Sequence, residues 1–178
     1  MTRMLSKLLA VSAMMVLAVS IAVAGPPDPQ RSTMNKVRKE LVTLPYYGVF
    51  DNLEYKVDGD TVTLYGQVRK PITKKDAEQR VAKIEGVDRV VNRIEVLPVS
   101  GFDDTIRARA YRAIFRSGSL YRYSMGANPS IHIVVKNGRI TLEGVVSNRM
   151  DSQLAYMAAR GVPGTFSVTN NLRIASGS

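Results

Sequence analysis

The chain holds a single histidine, His132, and no cysteine. Thiol nucleophiles and metal sites built from several histidines are therefore excluded. His132 opens a strand-like run, where a polar residue at a strand edge is its ordinary explanation. Carboxylates crowd between Asp51 and Asp60, but these are turn positions, and the alternating ligands closing on a bidentate glutamate that a calcium loop needs are missing. An enzyme is therefore the remoter reading, and no cofactor is expected.

A basic and aromatic stretch at residues 105–130, "TIRARAYRAIFRSGSLYRYSMGANPS", is more suggestive. At helical spacing Ile106, Ala110 and Ala113 face inward. Arg109, Arg112 and Arg116 line one flank and Arg107 the other, with Tyr111 and Phe115 between these flanks, away from the inward stripe. Tyr121, Arg122 and Tyr123 follow in a loop. Arginines hold phosphates and aromatic rings sit at head-group level, so the pattern suits contact with an anionic membrane surface. The competing expectation is that Tyr111 and Phe115 complete the core or the contact between domains, with the arginines merely solvated.

The elements that must position this stretch come from a duplication. Displaced by 78 residues, positions 57–96 match 135–174 without a gap, and nine of the 40 pairs are identical, including Leu64/Leu142, Gly66/Gly144, Gly86/Gly164 and Asn92/Asn170. Each copy reads helix, two strands, helix, strand. Val37, Leu41 and Leu44 form the inward stripe of the first helix, which Pro45 ends; Asp103-Asp104 starts its counterpart. Asp58-Gly59 and Asn137-Gly138 are two-residue hairpin signals. Thr73-x-x-Asp76 resembles a capping box before the next helix, and Asp151 is its expected N-cap in the second copy. That helix runs through Leu154, Ala155, Ala158 and Ala159. The last strands span Arg89–Leu97 and Ser167–Ile174. Gly66 and Gly144 are expected to admit a close neighbour, and Asn92 and Asn170 to cap or bridge a turn. The predicted fold is α+β: two tandem domains, 33–99 and 103–174, each a three-stranded mixed sheet with two helices on one face.

Ahead of them, Arg3 and Lys7 precede an apolar run from Leu8 to Val23, followed by Ala22-Val23-Ala24. Basic region, apolar region and small-x-small site in this order describe a cleaved secretory signal peptide over 1–24, with a linker at 25–32; a retained anchor is the alternative. Without cysteine the chain cannot be lipidated at its processing site, which points to the periplasm. The net charge is +10. Residues 31–99 carry 13 basic and 10 acidic side chains, a net +3, whereas 100–178 carry 10 and 4, a net +6. After export, phospholipid head groups and acidic envelope proteins, rather than nucleic acid, are the polyanions such a charge would meet.

The helix, the "VTLYGQV" and "ITLEGVV" strands with Ala77 and Ala155 beyond them, and the closing "GVDRVVNRIEV" and "GTFSVTNNLRI" resemble the BON (bacterial OsmY and nodulation) domain family. Thr165 stands where the pattern has valine. The resemblance implies a non-enzymatic, OsmY-like tandem-BON protein of the periplasm that binds phospholipid or the membrane surface, with links to osmotic and envelope stress. It equally allows a soluble chaperone or adaptor for envelope proteins. It leaves the oligomeric state open.

Overall fold

The computed structural model describes residues 29–116, 118–126 and 128–175. The stretch 1–24, read from its sequence as a signal peptide, lies outside the described residues. The order of elements is α1 (Pro29–Val42), β1 (Asn52–Asp58), β2 (Thr61–Val68), α2 (Pro71–Val81), β3 (Arg89–Asn92) and β4 (Glu95–Val96). The second copy follows with α3 (Gly101–Phe115), a 3-10 helix (Gly118–Ser124), β5 (Ile131–Lys136), β6 (Arg139–Val146), α4 (Arg149–Arg160), β7 (Ser167–Asn170) and β8 (Arg173–Ile174). Helix α1 thus begins at Pro29, inside the stretch read as linker.

In each copy the central strand pairs antiparallel with the strand before it and parallel with the strand beyond the second helix. This is the expected mixed α+β sheet. The single closing strand is split into β3 and β4, or β7 and β8, which both pair with the same central strand. Asn92 bridges the break: its carboxamide donates to Lys74 O and Glu78 Oε2 of α2, while its Oδ1 accepts from Ile94 N at 3.1 Å. Asn170 does the same between Ser152 and Leu172 N. Two separate cores result. Val37, Leu41, Val62, Leu64, Ala77 and Val81 centre the first, and Ile106, Ala110, Ile133, Leu142, Ala155 and Ala159 the second.

The local starts and turns differ from the sequence reading in several places: α1 already ends at Val42, short of Leu44 and Pro45, and α3 begins at Gly101 behind Ser100 rather than at Asp103-Asp104. No capping box forms at Thr73: Pro71, whose ring presets a helical φ, starts α2 two residues earlier behind Lys70, and Thr73 is buried. Asn148, not Asp151, caps α4 and accepts from Asp151 N; the Asp151 side chain answers by accepting from Asn148 Nδ2. The first hairpin turns on Gly59-Asp60, because Asp58 still pairs with Thr61. Only Gly59 there has positive φ, whereas both Asn137 and Gly138 do.

Gly66 and Gly144 hold the sheets together in the same way. Each has positive φ, and a Cβ there would lie 2.1 Å from a backbone oxygen of the adjacent hairpin segment, Asn52 O or Ser130 O. A close strand approach is therefore what these positions require. Gly144→Ala is expected to destabilise the protein by about 2 kcal/mol or more. Gly48→Ala, with open space and ordinary φ, should leave the melting temperature within a degree or two of wild type. Equal melting curves for the two variants would contradict this assignment.

Candidate functional site

Ser100 caps α3 by accepting from Asp103 N, and the buried Asp103 carboxylate accepts from Asn137 N and Gly138 N at 2.9 and 2.8 Å. The start of α3 is thereby fixed to the β5–β6 turn. One helical turn on, Arg107 is only 3% exposed, which corrects its expected place on an outer flank. Packing of α3 on β5 brings the guanidinium to Val135 O at 2.6 Å, and Asp104 binds its other nitrogen at 2.7 Å.

The far end of α3 brings a second correction. Phe115 is 4% exposed and belongs to the core, because the 3-10 helix folds back and lays Leu120 and Tyr123 beside it. Tyr123, also read as exposed, is buried: its hydroxyl donates to Asp151 Oδ2 at 2.5 Å and accepts from Ser147 N and Arg122 Nη2. Arg122 pairs with Asp151 as well and remains half exposed. Tyr111 is divided between roles. Its ring keeps an exposed edge but meets Phe115 at 4.9 Å and Phe50 of the first domain at 6.2 Å.

Arg109 and Arg112 lie on the outer face of α3, Arg116 caps its C-terminal end, and Tyr121 lies on the 3-10 helix; all four are exposed. Arg109 donates to Pro163 O at 3.1 Å. No ion pair engages Arg112 or Arg116 among the described residues. Helix α4 packs antiparallel beside α3, with its start tied to Tyr123 and the chain beyond its end tied to Arg109. The outer face of α4 adds a feature outside the basic and aromatic stretch. Met150, Leu154 and Met157 are 63%, 36% and 68% exposed at i, i+4, i+7. Leu154 thus faces out rather than joining the inward alanines. The spacing was visible in the sequence, but the basic and aromatic signal points to α3 instead.

The four carboxylates of the second copy are all engaged elsewhere. Asp103 and Asp151 are buried. Asp104 takes both Arg107 and Arg69. Glu143, on the sheet face opposite the helices, accepts from Asn171. The outward surface of α3 and α4 therefore carries arginine and apolar groups without a free acid. The helical layer of the first copy is mixed: Lys36 pairs with Glu85, and Arg80 with Glu40.

The two domains meet edge to edge. Ile133 N of β5 donates to Val49 O at 2.7 Å, and Asn128 donates to Val42 O. His132 is buried in this joint, not at a free strand edge. It stacks on Tyr47 with centroids 5.3 Å apart, its Nδ1–H donating to Gly48 O and its Nε2 accepting from the Tyr47 hydroxyl. Burial pushes the imidazole below its ordinary value and the Tyr47 phenol up to about 12. The buried Asp51 carboxyl beside them is raised, also by burial, although Gly48 N and Arg69 N donate to it. Among the described residues no group of three or more His, Asp or Glu side chains could hold a metal, and no helix is long and apolar enough to cross a membrane.

The BON domain family model matches residues 35–98 and 102–176. Among curated proteins nothing matches the chain. Among solved structures it is similar to CdsD, a structural protein of the type III secretion system of Chlamydia trachomatis, with 13% identity over 82% of this chain and 94% of that one, at a TM-score of 0.31. The CdsD C-terminal domain gives 12%, 80%, 97% and 0.29 in the same order. Scores this low carry no weight for fold or function.

The joint yields a pH dependence. The unfolded chain takes up a proton at His132 near its ordinary pKa of about 6.5, while the folded chain resists it. The stability from neutral His132 is complete above that pH and declines as pH falls through it toward the folded value. Asp51, raised in the fold, works in the opposite sense but in the carboxylate range. Melting temperatures should fall between about pH 7.5 and 5.5, and less so in His132→Gln. An equal fall in both proteins would contradict the role of this side chain.

Proposed function

Because the chain belongs to the BON-domain family, a family of binding domains associated with phospholipid membranes and osmotic stress, we propose that it is a non-enzymatic protein of the periplasm. On this reading it is exported by the signal peptide of 1–24, and its second domain associates with anionic phospholipid surfaces under envelope or osmotic stress. The observation that carries the reading is the helical layer of that domain, where Arg109, Arg112 and Arg116 stand exposed and no free carboxylate accompanies them. A basic side chain near an anionic membrane contributes about 1 kcal/mol. Three on α3, with Arg149 and Arg160 on α4, supply enough for salt-sensitive, reversible binding. Tyr121, exposed on the 3-10 helix next to the pinned Arg122, fits the head-group level.

Co-sedimentation with phosphatidylglycerol vesicles across a salt series tests the proposal. Binding is expected at low salt, weakening steadily as salt rises. Reversing two charges in Arg112→Glu/Arg116→Glu should weaken it about a hundredfold or more, with the melting temperature unchanged. Absence of binding at low salt, or a variant that binds like wild type, would refute the proposal.

A further inference from the structure

The exposed apolar stripe of α4 has no counterpart in the first domain. Met150, Leu154 and Met157 correspond, at the 78-residue offset, to Ile72, Asp76 and Gln79. The shared fold therefore does not require the stripe, since the core-facing positions Ala155 and Ala159 repeat the role of Ala77 and its neighbours. Three large apolar side chains left in water at i, i+4, i+7 mark one face of one helix as a contact surface. Its surroundings set the sign of the partner. Arg149 and Arg160 bracket the stripe along α4, Arg112 and Arg116 lie on the neighbouring α3, and the one acid of α4, Asp151, is buried against Tyr123.

We propose that α4 is the element that enters the membrane. The second domain lies side-on, its helical layer against an anionic lipid bilayer, with Met150, Leu154 and Met157 at the acyl boundary and the arginines at the phosphates. The inference rests on the lipid-surface reading and adds the inserting element and the orientation. The α3 arginines then attract the domain to the surface, and the α4 side chains bury apolar area there. Methionine suits this task because its flexible thioether accommodates an irregular, fluid surface. An apolar stripe bordered by basic residues is also the pattern of helices that lie in the interfacial plane.

The methionines report their own burial, because hydrogen peroxide oxidises exposed thioethers and mass spectrometry locates the sulfoxides. With the full chain and saturated-chain phosphatidylglycerol vesicles, oxidation of Met150 and Met157 should slow several-fold. Met34, exposed on α1 of the first domain, should keep its rate, and phosphatidylcholine vesicles should protect none of the three. Met150→Gln/Met157→Gln should lower the partition coefficient about tenfold or more without shifting the melting temperature. Vesicle binding with Met150 and Met157 oxidised at the free rate would overturn this inference and leave the arginine-based reading standing. Lack of any vesicle binding would overturn both. Protection that grows with protein concentration in the absence of vesicles would assign the stripe to a second copy of the chain and likewise overturn the inference.

Discussion

Asp151 sits buried at the start of α4 and accepts from Tyr123 Oη, Arg122 and Asn148 Nδ2. A carboxylate so placed without donors would destabilise the fold by several kcal/mol, so these three bonds fix where the chain before it must run. They draw the 3-10 helix back across the end of α3, and Leu120 and Tyr123 then cover Phe115 and close the second core. The first copy passes from helix to hairpin without such a segment. This one cluster joins α3, the 3-10 helix and α4 into a single layer.

The same cluster decides the electrostatics of that layer. Removing Asp151 from the surface, with Asp103 drawn under the β5–β6 turn and Asp104 between two arginines, leaves the outward faces of α3 and α4 to cations and apolar groups. Five exposed arginines, Arg109, Arg112, Arg116, Arg149 and Arg160, are thus left on the helical side, while Arg139 and Arg173 stand on the sheet side. The opposite sheet face carries Glu143, and the joint carries Asp51 and His132. A polyanionic surface therefore meets a domain with one preferred orientation. The edge-to-edge joint through Ile133 and Val49 ties the first domain to that orientation.

Much of this could be read from the residue pattern. The repeated glycines, at positions where strand approach forbids a side chain, located both sheets, and the helical wheel of α3 placed Arg109, Arg112 and Arg116 outside. Periodicity failed where the decisive partner is distant in sequence. Arg107 lies at an outward-reading position, but the Val135 carbonyl that claims it is 28 residues away. Phe115 is covered by a fold-back that depends on Asp151, which no local window contains. His132 meets Tyr47 across 85 residues. The α4 stripe was legible by spacing alone, yet methionine and leucine in a helix read first as core.

The central claim is that the second domain meets an anionic bilayer through its helical layer. Hydrogen–deuterium exchange of the full chain, with and without phosphatidylglycerol vesicles, tests it most directly because it reads every element at once. The account predicts added protection in α3, the 3-10 helix and α4, with α1 and α2 exchanging as in the free protein. Protection confined to α1 and α2, or to the outer edge strands β3 and β7, would contradict it.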